Sequence, residues 1–475
     1  MLQFTDSLHV GLLRARRWLA RTWSTTSAKN VIFGVAAGLL IGLLSLYSPW
    51  LGLIAVVGVV FALASLSRPM VLAYTMIAAT ALTSGMPRGR LVPLLRPNEA
   101  AMVLVTALAV PAILFSRKRA KPALRAMDGA MLLYVVTTVL APAAVYIIRG
   151  IELTQGDIMA LVAPAQYLLL YVVFQYLPDT DEDRRRLTLM IMISAAIVAL
   201  IGLLQAARIG FVVDFLNAWY PSSHLRQALE YNRVTSIVSG WNVFGILMMM
   251  NLLIVRATFI TGVRLSPAEK VIVWASAGLS AAALLASGSF AGIIGLGIGL
   301  LIVGRFDQQN FQRLLLLGVL LALAAVALWP IIAERLAFQY REGNSIVPQT
   351  LLYRFELWGT TFIPAIREYG LWGLVPDFSE AFDWGYAESQ YFYLLLRSGL
   401  ISLLGHLIWT FIVVLWLYER VIAYRGFART ISLSALAILI VLTVAGLTNS
   451  VFSFSGAIDY LWILLGLVAS RERAA

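Results

Sequence analysis

Long apolar runs separated by short polar breaks dominate this sequence. Residues 31–46 and 314–333 contain no charged residue, and runs of ~20 apolar residues are long enough to cross a bilayer as a helix. Lipid offers the backbone no hydrogen-bond partners, so an apolar run of this length favours a helix that bonds its own backbone. The pattern predicts an all-α, polytopic membrane protein with about 14 transmembrane helices.

The predicted spans define the organisation of the chain. They lie at roughly residues 31–47, 51–66, 69–84, 98–115, 129–148, 158–177, 188–206, 241–261, 270–286, 289–304, 314–333, 392–418, 430–448 and 457–470. Residues 1–29 form a basic amphipathic segment that is expected to lie on anionic lipid. Residues 30–333 contain the first eleven spans, together with the outward loops 84–100 and 207–240. Residues 334–388 form a large outward loop. Residues 389–475 contain the last three spans and a cytoplasmic tail.

Composition narrows the class of protein further. The chain is 60% hydrophobic and 13% charged, which excludes a soluble enzyme, since soluble domains are about 25% charged. It has no cysteine and three scattered histidines, so it offers no disulfide, no thiolate metal site and no histidine cluster. We expect no metal and no cofactor. The net charge of +12 fits basic cytoplasmic loops on a membrane protein better than nucleic-acid binding.

The distribution of charge predicts the orientation. With both termini in the cytoplasm, most Lys and Arg residues fall in inside loops, as the positive-inside rule requires. These inside loops are short and carry no Gly-rich phosphate-binding motif. The long loops face outward, and loop 334–388 is too aromatic for a disordered tether, so it should fold with helical pieces near 349–367. A reaction at the outer face, where ATP is scarce, needs a substrate that is already activated.

Four stretches of the sequence contain distinctive motifs. They are Arg233-Val-Thr-Ser-Ile-Val-Ser-Gly-Trp-Asn-Val-Phe-Gly, Leu284-Leu-Ala-Ser-Gly-Ser-Phe-Ala-Gly, Tyr353-Arg-Phe-Glu-Leu-Trp-Gly-Thr-Thr with Tyr369-Gly-Leu-Trp-Gly-Leu, and Glu388-Ser-Gln-Tyr-Phe-Tyr-Leu-Leu-Leu-Arg-Ser-Gly-Leu-Ile. Together they resemble the bacterial O-antigen ligase and O-antigen polymerase family of integral-membrane glycosyltransferases. The resemblance covers roughly residues 230–410, and the many spans with a long outward loop before the last few agree with it.

The resemblance implies a metal-independent glycosyltransferase of the bacterial inner membrane with its active site facing the periplasm. Its substrate would be an undecaprenyl-pyrophosphate-linked oligosaccharide, and a polymerase would transfer the glycan to a sugar hydroxyl of another lipid-linked repeat unit. A chain-length regulator and a flippase of the same pathway are the protein partners it implies, besides membrane lipids. The O-antigen ligase reaction, with lipid A core as acceptor, is the alternative within the family. A lipid-linked oligosaccharide flippase is the alternative from another class.

Three arginines are candidates for binding the pyrophosphate, because the planar guanidinium pairs bidentately with phosphate oxygens. Arg354 matches the family's loop arginine, and the alternative is an interfacial residue paired with Glu356 or a lipid headgroup. Arg233 ends the other long loop and could equally snorkel at the interface. Arg341 is a third contact, and Arg88, Arg90 and Arg96 are secondary ones.

Two positions depart from the family pattern. Ligase members carry a His where the chain re-enters the membrane, and this chain has Glu388, which favours the polymerase reaction. Glu388 is the candidate catalytic base together with Arg354 as catalytic cation; the alternative for Glu388 is an acid at a helix start. Phe290 stands where many members have an Arg, so one expected cation is absent there.

Aromatic residues of the outward segments are candidates for stacking on sugar rings. Trp358, Trp372, Trp384 and Tyr391 are the residues that we assign to sugar binding. Trp is also enriched at membrane interfaces for amphipathic reasons alone, and this alternative stays open. Asp383 and Glu380 are further carboxylates near the same region. His224 and His406 are more typical of an exposed loop and of packing inside a span.

Overall fold

The protein is helical in every continuous range that the structure describes. This computed structural model describes residues 68–92, 95–114, 125–150, 155–221, 233–307, 348–369 and 387–474, with isolated positions between them. Within these ranges the only extended pairing is an isolated bridge between Val92 and Leu95. Internal contacts divide the chain after Val71, and the unit from Leu72 to Ala475 contains the elements that form the site.

The helices follow one another with short connections. In chain order they are α1 Met70–Thr83, α2 Pro97–Leu114, α3 Ala126–Arg149, α4 Gln155–Tyr176, α5 Asp181–Ala206, α6 Gly210–Trp219, α7 Trp241–Ile260, α8 Pro267–Ser287, α9 Phe290–Arg305, α10 Gln349–Leu357, α11 Ile363–Tyr369, α12 Gln390–Ala423, α13 Gly426–Ala445 and α14 Ile458–Ala474. A π-helical turn, Val136–Leu140, lies within α3, and a second one, Trp358–Phe362, joins α10 to α11.

Six helices within the described ranges are long and apolar enough to cross a membrane, namely α3, α5, α7, α8, α12 and α13. Shorter apolar stretches lie in α1, α2, α4, α9 and α14. The chain is therefore a polytopic, all-helical membrane protein, as predicted. The full number of spans stays a prediction, because the expected spans 31–47, 51–66 and 314–333 and the segment 1–29 lie wholly or largely outside the described residues.

Local sequence explains where the helices begin and end. Before α8, the Ser266 hydroxyl accepts the backbone N–H of Glu269, and the Glu269 carboxylate accepts the N–H of Ser266, which is a capping box with Pro267 at the first position. Gly288 ends α8 in the left-handed conformation that glycine adopts without strain. Ser289 then caps α9 through the N–H of Gly292. Residues 287–289, the Ser-rich turn, thus form a tight connection between α8 and α9.

Helices α7, α13 and α14 form the centre of the bundle. Nearly all side chains of α7 and α13 are buried, and α14 is buried from Ile458 to Ser470. Helix α7 packs on α8, α9 and α13, and α14 packs on α4 and α13. Asn251 of α7 donates to the hydroxyls of Ser276 and Ser280 on α8 at 2.7 and 2.8 Å, so this buried amide has partners in the apolar core.

Helices α7 and α9 approach each other through glycines. A Cβ atom built on Gly292 would lie 2.8 Å from the carbonyl oxygen of Gly245, which is closer than real side chains come to backbone. One built on Gly245 would lie 2.4 Å from the Cβ of Ser289. The absence of side chains at these two positions brings the first turns of α7 and α9 side by side.

Helix α12 is two helices joined at a break, where the sequence predicts a single span at 392–418. Gly399 has φ 72° and ψ −171°, which only glycine adopts readily, and it separates a short piece, residues 390–398, from the long span that follows. Gly373, with φ 87°, packs against this break, and its carbonyl accepts a hydrogen bond of 2.7 Å from Arg149. An apolar run does not reveal such a break, because glycine keeps the run apolar.

Candidate functional site

A cavity of about 530 Å³ lies where α7, α9 and α12 begin and where α8 and α13 end. Its polar lining comprises Arg233, Asn242, Tyr353, Arg354, Glu388, Thr448 and Asn449, and its apolar lining includes Phe290, Ile294, Ile298, Leu351, Val441, Val444 and Leu447. The cavity thus combines two arginines and a carboxylate with a wall of aliphatic side chains. It draws on all four stretches that carry the family resemblance.

Arg354 and Glu388 form an ion pair inside this cavity. The Nε and Nη2 atoms of Arg354 donate to the same carboxylate oxygen, Oε2 of Glu388, at 3.0 and 2.9 Å. Nη1 of Arg354 donates more weakly to the carbonyl of Thr350, at 3.4 Å. The partner of Arg354 is therefore Glu388 and not Glu356, which the sequence offered as an alternative. Among the described residues, Oε1 of Glu388 has no hydrogen-bond partner.

The backbone on both sides of Glu388 is held by hydrogen bonds. The indole Nε1 of Trp358 donates to the carbonyl of Ala387 at 3.0 Å, and the N–H of Gln390 donates to the carbonyl of Gly446 at 2.8 Å. Glu388 itself has φ 50°, an uncommon conformation for a residue with a side chain. Ser389, and not Glu388, is the N-cap of α12. These contacts hold the backbone of Glu388 in a strained conformation. They place its carboxylate just before the start of α12.

Arg233 also lines the cavity and is held there by contacts with α7 and with the end of α8. Its guanidinium lies over the ring of Trp241, 4.2 Å from the centroid. Nε and Nη2 of Arg233 donate to the carbonyls of Ser287 and Gly288 at 3.2 Å each. The residue therefore connects the segment before α7 to the Ser-rich turn, and the cation is stabilised by the aromatic face.

The first turns of α7 and α9 contribute to the wall of the cavity. Phe290 and Ala291, the first residues of α9, line the cavity, as do Trp241 and Asn242 at the start of α7. The N-terminus of a helix carries a partial positive charge and favours a bound anion. Two helix starts thus add to the positive potential that the arginines create.

Tyr353 is a further polar group of the cavity wall, next to Arg354 on α10. Burial raises the pKa of the Tyr353 phenol, and the nearby carboxylates of Glu388 and Glu356 raise it further. The hydroxyl therefore stays protonated at neutral pH and can donate a hydrogen bond. No role was predicted for Tyr353 from the sequence, although it directly precedes the candidate Arg354.

The aliphatic end of the cavity reaches the surface of the bundle. Ile294 of α9 and Leu447 after α13 line the cavity, and they are 60% and 56% exposed. Val444 of α13 is also exposed. Exposed aliphatic side chains on membrane helices face lipid, so this part of the cavity lining lies at the lipid-facing surface of α9 and α13.

Three of the residues assigned to sugar binding are described by the structure, and these three, Trp358, Trp372 and Tyr391, are not among the lining residues of the cavity. Trp358 packs against Phe355 and Phe392 and uses its indole N–H on Ala387. The Tyr391 hydroxyl donates to the carbonyl of Thr443 at 2.7 Å. Trp372 is exposed. Trp384 and the predicted pyrophosphate contact Arg341 lie outside the described residues.

The secondary candidates lie elsewhere or have other partners. Arg88 forms an ion pair with Glu99 at 2.7 Å, and Arg90 donates to the carbonyl of Ala218. None of Arg88, Arg90 and Arg96 lines the cavity. His406 is buried within α12 beside Tyr134, Trp409 and Phe452. His224, Glu380 and Asp383 lie outside the described residues.

Two polar residues of the cavity, Thr448 and Asn449, were not anticipated. They lie in the turn after α13, where threonine and asparagine are ordinary turn residues. The packing of α13 on both α7 and α12 brings this turn to the site, and the sequence gives no direct signal of that packing. In the ranges that the structure describes, no group of three or more His, Cys, Asp or Glu side chains is arranged to hold a metal ion.

Comparison with models of protein families and with curated proteins finds no match to this chain. The geometry of the cavity is therefore the main guide to what the protein does.

Proposed function

We propose that the protein is a polysaccharide polymerase that transfers a glycan from undecaprenyl pyrophosphate to a sugar hydroxyl of another lipid-linked repeat unit. The observation that carries this proposal is the convergence of Arg233, Arg354 and Glu388 in one cavity whose other end is aliphatic. A lipid-linked sugar diphosphate has the same distribution of chemistry, with an anionic centre, a polar glycan and an apolar tail. The family resemblance of four stretches of the sequence supports the same reaction.

The arginines bind and stabilise the leaving group. In the reaction, the acceptor hydroxyl oxygen attacks the anomeric carbon of the donor sugar, and the bond between that carbon and the pyrophosphate oxygen breaks. The bonding electron pair leaves with the diphosphate, whose negative charge grows. Arg354 and Arg233, together with the starts of α7 and α9, stabilise this charge. Tyr353 donates a hydrogen bond to the same group.

Glu388 is the base. Both hydrogen bonds from Arg354 go to Oε2, so Oε1 is left to take the proton of the acceptor hydroxyl. The adjoining Trp358 and Gly446 contacts hold the carboxylate in position, which is a requirement for proton transfer in a fixed geometry. Trp358 is thus a positioning residue for Glu388 in this proposal.

The orientation in this proposal places the cavity at the periplasmic face of a bacterial inner membrane. The two turns at the cavity end that follow α8 and α13, residues 288–289 and 446–457, contain no charged residue. The ends of α8, α9, α12 and α13 that lie away from the cavity carry Arg264, Lys270, Arg305, Arg420, Arg425 and Arg429. The positive-inside rule assigns the basic ends of these helices to the cytoplasm, so the cavity end would face the periplasm.

The decisive experiment is reconstitution of the purified protein with lipid-linked repeat units. We expect a ladder of longer glycans and release of undecaprenyl pyrophosphate without added nucleotide or metal. Arg354→Ala and Glu388→Gln should each lower the rate by about 100-fold or more, since such groups contribute 10²–10⁴ to catalysis. Lys270→Ala, at the opposite end of α8, is the control and should retain the wild-type rate.

Four results would contradict this assignment. A requirement for nucleotide or metal would exclude the mechanism, and wild-type rates in both site variants would remove the cavity from the reaction. Transfer to lipid A core in place of a second repeat unit would identify the ligase reaction, and ATP-independent movement of the lipid across the bilayer without transfer would identify a flippase.

A further inference from the structure

A cluster of uncharged polar side chains forms one part of the cavity wall. It consists of Asn242, in the first turn of α7, and Thr448 and Asn449, in the turn after α13. The two turns meet because α7 packs directly on α13. None of these residues belongs to the ion pair or to the aliphatic wall, and the mechanism above gives them no role.

The hydrogen bonds within this cluster use only part of its capacity. Nδ2 of Asn242 donates to Oδ1 of Asn449 at 3.4 Å, and Oδ1 of Asn242 accepts from the Ser289 hydroxyl at 3.3 Å. Nδ2 of Asn449 donates to Oγ1 of Thr448 at 3.1 Å. Each carboxamide has two N–H donors and an acceptor with two lone pairs, so every one of these bonds leaves further donors or acceptors.

The position of the cluster makes this spare capacity informative. Polar side chains at the membrane level are unfavourable unless they have partners or face a polar space. Here they face the cavity that also holds Arg233 and the Arg354–Glu388 pair. The bonds of 3.3–3.4 Å are at the long limit for hydrogen bonds, so exchanging them for bonds to a ligand carries a small penalty.

The chemistry of the cluster selects a neutral, polyhydroxylated ligand. Carboxamides and hydroxyls donate and accept at the same time, which matches sugar hydroxyls, whereas a phosphate only accepts. In the proposed complex, the arginines bind the phosphate groups, and the aliphatic side chains contact the lipid chain. We propose that Asn242, Thr448 and Asn449 form the subsite for the sugar that is joined directly to the pyrophosphate. This inference rests on the proposed function, because it names a part of the same substrate.

Equilibrium binding to two probes tests the subsite without requiring turnover. The probes are undecaprenyl pyrophosphate alone and the same carrier bearing a single N-acetylglucosamine or galactose, titrated into the purified full-length protein. The wild type should bind at least one sugar-bearing carrier more tightly than the bare carrier. Asn242→Ala and Thr448→Val should each reduce this preference by up to about tenfold, since a neutral hydrogen bond contributes about 0.5–1.5 kcal/mol.

Matched variants separate the subsite from packing and from the anion site. Thr443→Val removes a hydroxyl that bonds only to the carbonyl of Leu439 on its own helix, so it should leave both affinities unchanged. Arg354→Ala should weaken binding of both carriers alike. In Asn242→Ala and Thr448→Val, affinity for the bare carrier should stay at the wild-type value.

The outcomes distinguish this inference from the proposed function. If both cluster variants keep the wild-type preference, or lose affinity for both carriers equally, the cluster is not a sugar subsite, even when the wild type makes polymer. The same conclusion follows if the wild type shows no preference for any sugar-bearing carrier. If the preference depends on the cluster but the reconstituted protein makes no polymer, the subsite stands and the polymerase reaction is rejected.

Discussion

At the scale of single residues, Glu388 is the candidate base and also has a strained backbone conformation. Its φ of 50° costs a residue with a side chain about 1–2 kcal/mol, because Cβ approaches the following carbonyl. Hydrogen bonds at Ala387 and Gln390 hold the conformation, and the carboxylate pairs with Arg354. Stability of the fold and placement of the carboxylate are therefore in conflict at this position.

A pair of substitutions separates these two contributions. Glu388→Ala and Glu388→Gly both remove the carboxylate, so both should abolish chain lengthening. Only glycine relieves the backbone strain, so we expect Glu388→Gly to be more stable than Glu388→Ala by about 1 kcal/mol. Thermal unfolding of the two proteins in the same detergent measures this difference. Equal stability would show that position 388 is not strained.

The ion pair itself should contribute little to folding. The intact pair offsets the cost of burying both charges, since Arg354 and Glu388 are only 17% and 25% exposed, but removal of one partner leaves the other charge poorly solvated. Loss of activity in Arg354→Ala therefore reports on substrate binding only where the unfolding midpoint of the variant matches that of the wild type.

At the scale of elements, the site depends on how closely α7 and α9 approach each other. Gly292 permits the contact, since a Cβ there would meet the backbone of Gly245 at 2.8 Å. The same contact brings the first turns of both helices to the cavity. A change in the distance between these helices therefore alters the anion-binding end of the site.

Two glycines of α9 provide a matched test. Gly292→Ala should separate α7 from α9, lower stability by about 1–3 kcal/mol and reduce polymer formation. Gly297 has open space around its ideal Cβ position, so Gly297→Ala should be neutral or stabilising by about 0.5–1 kcal/mol. Unfolding midpoints and initial rates of both variants provide the measurement. Identical behaviour of the two variants would refute a role for the close contact.

The apolar runs of the sequence predicted the long helices that the structure describes, but neither their irregularities nor the short helix α6 in the expected loop 207–240. The spans expected at 188–206, 241–261 and 270–286 correspond to α5, α7 and α8. The break at Gly399 was not predictable, because it arises from packing against Gly373, which is distant along the chain. The π-helical turn Trp358–Phe362 is equally invisible to a hydrophobic pattern.

Residue type predicted the charged part of the site better than the neutral part. Arg233, Arg354 and Glu388 were identifiable because charge is rare in this chain and each lies in a stretch with family resemblance. Trp358 was assigned to sugar binding, and in the structure its half-buried ring packs against Phe355 and Phe392; composition alone does not reveal such packing. Asn449 was missed because its significance depends on the pairing of α7 with α13.

At the scale of the whole molecule, the orientation in the membrane can be measured directly because the chain has no cysteine. Trp372 is 62% exposed beside the break in α12, and the side chain of Glu419, near the other end of α12, is 68% exposed. We expect a cysteine in Trp372→Cys to react with a membrane-impermeant maleimide in intact cells. A cysteine in Glu419→Cys should react only after lysis. The opposite pattern would place the cavity in the cytoplasm.

The cavity wall joins parts of the chain that the ribosome makes far apart in time. Arg233 precedes Arg354 and Glu388, and the wall is completed by Val441 and Asn449 from the last helices. A nascent chain that has inserted only as far as α12 lacks the part of the wall that α13 and the turn after it provide. In such a chain the N–H of Gln390 also lacks its acceptor, the carbonyl of Gly446. The complete cavity therefore forms only after α13 has inserted, and a premature stop codon before Asn449 would leave a membrane-inserted product without a complete site.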